Sequence, residues 1–367
     1  MLCCIGCFQD DSLHYLINER GQVGDCSFCK RKGVAVAPPG ALSSVFAEMI
    51  NNQYSPVTSE NTAYDDEDGT PLFGDDGDTL FNIIQEDWEI FTDYDDGDKL
   101  LAAILDAGWD DDDPEWPSAT GTLWTKRSTP LLDRAEGLAE SWRWFCTEAK
   151  EIRDPDQMKR HPLLSQITLA LEDSDSVLQD GRPLYRARKN GPDQTDAYDA
   201  PNLGPPPPSK ATAGRCNREG LAVFYTAEDV PTAIAEIRPT RGDVVSVGEF
   251  VLRREIRVLD ASKPPRIPSP FTDDLDWKLK IRRVLIAFAV ELSRPVDQPE
   301  LEPQEYHATQ LLSELAWSQG YSAIRYPSGR SQSKNVVLRD QDPVEYVRSW
   351  IEVVEEIPPP YTPPVVW

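Results

Sequence analysis

Two textures of apolar patterning divide the chain. Up to about residue 172 the apolar residues recur at helical spacing, and from Arg182 they fall in short runs between turn residues. In the first part, Leu42, Val45, Phe46 and Met49 share one face of a helix expected over Ala41 to Asn51. Thr79 to Phe91 and Lys99 to Gly108 are amphipathic in the same way. Leu131 to Arg153 is rich in helix formers, and Leu163 to Leu171 makes a shorter helix. His14 to Gly21 reads as a strand and turn. In the second part, Pro183 to Arg188, Leu221 to Tyr225, Asp243 to Val251, Glu255 to Leu259, Ser322 to Tyr326 and Asn335 to Leu338 read as strands. Asp276 to Leu292 and Glu305 to Gln319 are helices between them.

The stretch Ala213 to Ile237 joins both textures. A turn at Gly214-Arg215-Cys216-Asn217 leads to the strand ending at Tyr225. Thr226 and Asp229 have capping-box-like spacing, and Pro231 suits a first helical turn. Val230, Ala233, Ile234 and Ile237 then form one apolar face, with Glu236 beside it. Pro327-Ser328-Gly329 is a tight turn between the last two expected strands. Arg186 and Arg188 alternate on one strand face.

Charge narrows the function classes. The net charge of -26 lacks the basic footprint of a nucleic-acid binder, so no direct nucleic-acid partner is expected. Residues 60 to 115 hold 21 Asp or Glu against one Lys, a composition shift expected of a special surface or a semi-ordered segment. Asp110 to Asp113 lacks the alternating ligands of a calcium loop and reads as solvated. With neither a membrane-length apolar run nor a signal peptide, a cytoplasmic protein without a membrane partner is expected. Oligomerisation stays open.

Four of the seven cysteines have metal spacing: Cys4-x-x-Cys7 and Cys26-x-x-Cys29, eighteen residues apart. This zinc-ribbon-like pattern predicts a structural Zn2+. Cys3 is an alternative to Cys4, and His14 is not needed to complete the shell. Arginines at 186, 188 and 215 in an acidic chain suit phosphate binding, and Tyr225 and Glu236 lie near them in sequence. With only three histidines, of which His307 reads as structural, no Ser–His–Asp or Cys–His set is available. Chemistry here would rest on electrostatics and positioning.

The ordered set Leu184-Tyr185-Arg186, Gly214-Arg215-Cys216-Asn217, Phe224-Tyr225-Thr226-Ala227 and Thr232 to Glu236 resembles the RES domain family. It continues with Glu305 to Gln310, Gly320 to Ser328 and Asn335 to Leu338, with Cys216 departing from the aromatic or apolar residue common there. The preceding half resembles a HEPN/RES-type leader. The resemblance implies an α+β chain: an ADP-ribosyltransferase-like mixed α/β RES domain, preceded by the zinc-ribbon-like knuckle and a mostly helical domain. The expected segments are 1–33 (cysteine ribbon), 34–172 (acidic helices), 173–350 (RES domain) and 351–367 (Pro-rich tail).

By resemblance the substrate is NAD+, cleaved between nicotinamide and ribose by water or inorganic phosphate, in the toxin of a toxin–antitoxin pair. Arg186 would hold the diphosphate or ribose side with Arg215 alongside, and Tyr225 would stack near nicotinamide. Glu236 would stabilise positive charge developing on ribose. Ser328 would position a ribose or phosphate oxygen, supported by Asn335, with Arg188 and Asn217 completing the cofactor-binding set. An ADP-ribosyltransferase acting on a macromolecule, and a non-enzymatic nucleotide-binding module, are the alternatives.

Overall fold

A computed structural model describes residues 1–57, 77–108, 116–126, 135–150, 162–294 and 306–356. Most of the acidic loop 61–78, the Asp110–Asp113 run and the tail from Pro358 lie outside these residues. The chain forms two compact units. The first comprises Met1–Leu132 with Ile267–Leu279, and the second Asp133–Arg266 with Lys280–Trp367. No helix among the described residues is long and apolar enough to cross a membrane.

The first unit opens with β1 (Cys3–Cys4), α1 (Asp11–Arg20), β2 (Gln22–Gly24) and β3 (Val34–Ala37). The strands form an antiparallel sheet in the order β1-β3-β2. Where a strand is expected from His14, the chain is helical. The Asp10 carboxylate accepts from Leu13 N over 3.0 Å, and Leu13 and Ile17, four apart, are both completely buried. An N-cap and a buried helical pair outweigh the local β-formers. Next come α2 (Ser43–Gln53), β4 (Tyr54–Pro56), α3 (Leu80–Trp88), α4 (Tyr94–Asp106) and β5 (Trp124–Lys126), which pairs with β4. Phe8, Phe46, Phe81 and Phe91 gather with ring centroids 5.4 to 6.4 Å apart. Phe271, from the Ile267–Leu279 segment, joins them 4.9 Å from Phe46.

The second unit contains α5 (Ala135–Ala149), α6 (Pro162–Leu171), β6 (Asp175–Leu178), β7 (Pro183–Lys189), α7 (Ala200–Leu203), β8 (Phe224–Ala227) and α8 (Val230–Glu236). It continues with β9 (Val244–Leu252), β10 (Ile256–Asp260), α9 (Leu275–Ser293, of this unit from Lys280), α10 (His307–Ser318), β11 (Ala323–Pro327), β12 (Lys334–Leu338) and β13 (Val344–Val353). The eight strands form one mixed sheet in the order β13-β9-β7-β8-β12-β11-β10-β6. Only β10 and β11 run parallel. The sequence reading assigns no strand after Leu338, yet β13 is ten residues long and pairs along β9.

These units cut the chain differently from the four expected segments. Helices α5 and α6 count with the sheet because His307 Nε2 bonds Ala149 O over 2.9 Å and Tyr321 OH donates to Leu171 O over 3.0 Å. Such tertiary bonds carry no sequence-local signal.

Candidate active site and metal centre

The second unit holds Glu236 by both ends of a seven-residue helix. Asp229, not Thr226, is the N-cap of α8: its carboxylate accepts from Thr232 N over 2.8 Å. Burial pushes the Asp229 carboxyl up, but hydrogen bonds from Thr232 and Ser333 outweigh it and bring the group below its ordinary value. Thr226 stays in β8 and donates to Val336 O over 2.7 Å. The expected apolar face of α8 packs on Ala187, Ala227, Val245 and Val247. Arg238, in the left-handed region at φ 50°, ends the turn beyond Glu236.

One carboxylate oxygen of Glu236 is doubly anchored. Oε1 accepts from Ser328 Oγ over 2.6 Å and from Asn335 Nδ2 over 2.7 Å. Ser328 is completely buried and Asn335 nearly so, while Glu236 itself is exposed. Ser328 Oγ also accepts from Arg330 N over 3.1 Å, which fixes the hydroxyl. Oε2 has no hydrogen-bond partner among the described residues. Ser328 and Asn335 therefore hold Glu236, and the buried hydroxyl of Ser328 has no exposed surface to offer a ligand.

Two cavities of about 240 Å³ each meet at this carboxylate. Glu236, Tyr225, Tyr326 and Asn335 line both. One is otherwise walled by Tyr185, Ala187, Ala227, Ala233 and Ile237, with Arg186 at its side. The other has Arg215, Arg238, Arg294 and Arg330 around it, together with Tyr306.

Arg186 stands where two strands part. β7 pairs with β8 only at Tyr185 and Ala227. Beyond that pair, Arg186 Nη1 donates to Tyr225 O over 3.4 Å, and the guanidinium lies 5.4 Å from the Phe224 ring centroid. Burial first, and the neighbouring Arg188 charge second, lower Arg186 to about 10, so it stays cationic at neutral pH. It makes no hydrogen bond or ion pair with Glu236, Ser328 or Asn335.

The remaining expected residues organise the walls. Arg215 donates through Nη1 to Glu291 O, in the last turn of α9, and through Nη2 to Arg294 O, just past its end, so it caps that helix terminus. Arg188 is exposed, donates to Asn202 O over 2.9 Å and covers the Tyr198 ring. Asn217 is buried and lines neither cavity. Its Nδ2 donates to Thr212 O, Arg218 O and Leu221 O, and its Oδ1 accepts from Tyr225 OH over 2.9 Å. Tyr225 OH in turn accepts from Cys216 N over 3.1 Å. Burial raises the Tyr225 phenol far above its ordinary value, so it remains a neutral donor.

Gly214 admits no side chain, because an added Cβ would lie 2.6 Å from Tyr225 OH and 2.7 Å from Asn217 Oδ1. Gln310 lies in the matched stretch Glu305 to Gln310, yet nothing in the sequence marks its side chain as part of the site. Its buried Nε2 donates to Gly214 O over 2.8 Å and Asn217 O over 2.9 Å, clamping the loop from α10. Tyr326, Arg238 and Arg330 carry no sequence signal either: Tyr326 reaches the cavities through the register of β11, Arg238 through the turn after α8 and Arg330 through the turn between β11 and β12.

In the first unit, Cys4, Cys7, Cys26 and Cys29 place their Sγ atoms within 4.8 Å of one another. Cys4–Cys29 and Cys7–Cys26 are 3.4 Å apart, and Cys4–Cys7 4.0 Å. A tetrahedral Zn2+ with bonds of about 2.3 Å spaces its sulfurs about 3.8 Å apart, so the donor set fits. Cys3 lies outside the set, its Sγ donating to Ala37 O over 3.4 Å. His14 bonds Phe8 O instead. Burial raises Cys4 to about 11 and Cys7 further. At Cys26 burial is outweighed by the amides of Phe28 and Cys29 and by neighbouring thiols, which bring it to about 7.

A mixed sheet with a partly parted strand pair, and a glutamate fixed by a serine and an asparagine beside it, define an α+β cleft protein. Residues 183–358 match the RES domain and residues 19–153 match HEPN/RES N-terminal domain 1. The chain thus carries a RES domain preceded by HEPN/RES N-terminal domain 1. No curated protein matches it significantly. A chain of the crystal structure of the M. tuberculosis MbcT–MbcA toxin–antitoxin complex is similar over 52% of this chain and 94% of that one, at 12% identity. The TM-score is 0.32, too low to argue from.

Proposed function

We propose that the chain cleaves the bond between nicotinamide and ribose of NAD+, passing ADP-ribose to water or inorganic phosphate. The observation that carries this reading is the Glu236 carboxylate, with Oε1 tied to Ser328 and Asn335 and Oε2 left without a partner, where two cavities meet. The resemblance of the Arg, Glu and Ser motifs to the RES family supplies the substrate.

The chemistry suits these residues. Nicotinamide leaves as a neutral molecule, so no strong general acid is required. As the C–N bond breaks, the electron pair goes to nicotinamide and positive charge develops on ribose. A fixed carboxylate stabilises that oxocarbenium-like state without reorganising. Ser328 and Asn335 keep Glu236 aimed, and Tyr225 and Tyr185 supply aromatic faces for the leaving ring. Arg186 holds the Tyr225 carbonyl and so the edge of the cleft.

In the same reading the four cysteines bind a structural zinc that closes the β1–β3 turn region of the first unit. A cognate antitoxin that silences the activity is the protein partner.

The test is incubation of the purified chain with NAD+, with and without phosphate, and resolution of the products by mass. Free nicotinamide with ADP-ribose or its phosphate supports the reading. Label from NAD+ appearing on macromolecules in a lysate would make the protein a transferase instead. Absence of nicotinamide release would sink the proposal.

A further inference from the structure

The two cavities that meet at Glu236 are alike in volume and opposite in chemistry. The compartment beside Tyr185 is aromatic and aliphatic, and Arg186, its cation, is held at the β7–β8 gap. The compartment beyond Glu236 is walled by four arginines. In a chain of net charge -26 that concentration is a local reversal of the field.

The four cations are differently occupied. Arg215 gives its Nη groups to Glu291 O in the last turn of α9 and to Arg294 O just beyond it. Arg294 lies 3.6 Å from the Glu291 carboxylate. The Arg330 amide is held by Ser328. Arg238 has no hydrogen-bond or ion-pair partner for its guanidinium among the described residues, and it is exposed at the cavity wall. It stands two residues from Glu236, just past the end of α8.

We infer that the arginine-walled compartment takes the diphosphate of the substrate and that Arg238 is its recognition residue, while the aromatic compartment takes the neutral leaving group. This rests on the proposed NAD+ reading for the identity of the molecule. In that molecule the ribose lies between nicotinamide and diphosphate, as Glu236 lies between the two compartments. A guanidinium without a protein partner offers paired donors that match phosphate oxygens. The assignment moves the diphosphate away from Arg186, where the sequence resemblance places it, to the cavity that Arg215, its expected companion, does line. Arg188 is turned to Asn202 O and Tyr198, and Arg186 to Tyr225 O. It also fixes the direction in which the dinucleotide lies.

The experiment measures binding of ADP, which carries the diphosphate but cannot be cleaved at a nicotinamide bond. Calorimetry on the full chain would compare the wild type with Arg238→Gln and with Arg238→Asn, the latter suited to the left-handed φ at this position. Loss of a charge-assisted bond should weaken ADP binding about tenfold or more in both variants. Arg348→Gln, which disrupts a pair with Glu249 away from the cavities, should leave it unchanged. For NAD+ turnover, Arg238→Gln should raise KM and leave kcat within about twofold. ADP affinity equal in the wild type and both Arg238 variants, or no ADP binding by the wild type, overturns the assignment. A wild type that binds ADP through Arg238 but releases no nicotinamide from NAD+ refutes the proposed reaction and upholds the diphosphate compartment.

Discussion

Replacing Ser328 with alanine separates the support of Glu236 from Glu236 itself. The hydroxyl is completely buried, donates to Glu236 Oε1 over 2.6 Å and accepts from Arg330 N over 3.1 Å. A hydrogen bond to a charged group contributes about 1.5–3 kcal/mol. The Asn335 amide, 2.7 Å from the same oxygen, remains and offsets part of the loss. We therefore expect the lower end of that range, about 1.5–2 kcal/mol, to be missing from the transition state. At about 1.4 kcal/mol per factor of ten, kcat/KM for NAD+ should fall about 10–30-fold. The orphaned Arg330 amide should in addition cost about 1–3 kcal/mol of stability. The assay is steady-state release of nicotinamide, with denaturant melts of the same samples. Ser328→Cys, which keeps the shape but weakens the donor, should fall between the two proteins. Asn335→Ala should behave like Ser328→Ala, and the double variant should lose more than the sum, because each donor backs up the other. A folded Ser328→Ala protein within twofold of wild type would refute the positioning role, and with it the argument that the doubly anchored oxygen matters.

Three further outcomes are expected. Elemental analysis should find about one zinc per chain, lost in Cys26→Ser, and chelation should lower the melting temperature of the first unit by several degrees, since structural zinc contributes up to about 10–16 kcal/mol in small zinc peptides and this unit also has an apolar core to fall back on. A metal-free protein with an unaltered melt would exclude the site. Gln310→Met should destabilise the second unit by about 1–3 kcal/mol by leaving the Gly214 carbonyl unpaired and removing one of the two donors to Asn217 O, and a change under about 0.5 kcal/mol in a urea titration would contradict the clamp. Asp229→Asn should be tested across pH. Because the folded carboxyl titrates below its ordinary value, its stabilisation is complete above the ordinary aspartate range and is lost as pH falls through the folded value. The gap in urea midpoint between wild type and variant should thus shrink below about pH 4, and a gap constant down to acid pH would count against it.

Much of the second unit was legible because its signals are local. The apolar face of α8, the strands from β7 to β12 and the turn at Ser328 follow from spacing and turn residues alone. The ordered motifs also brought Glu236, Ser328 and Asn335 to attention together, and the structure joins all three by two hydrogen bonds. Roles within the set were less legible. Ser328 reads as a ligand group until its burial is known, and Arg215 reads as a phosphate hook until the end of α9 is seen beneath it. The α1 helix was missed because its sequence is mixed in propensity and its evidence is tertiary: Leu13 and Ile17 disappear into a core assembled from later residues. β13 was missed because Glu345, Arg348 and Glu352 interrupt its apolar residues, a composition that suits the exposed edge of a sheet.

The place of β12 in the sheet has a consequence for synthesis. It lies between β8 and β11, although it is nearly the last strand to be made, and it delivers Asn335, while the turn just before it delivers Ser328. Until the ribosome has passed Leu338, the centre of the sheet is empty and Glu236 has neither of its anchors. A nascent or prematurely terminated chain therefore carries the glutamate without the means to aim it. Competence arrives late, when a single strand enters between β8 and β11, both of which are made before it.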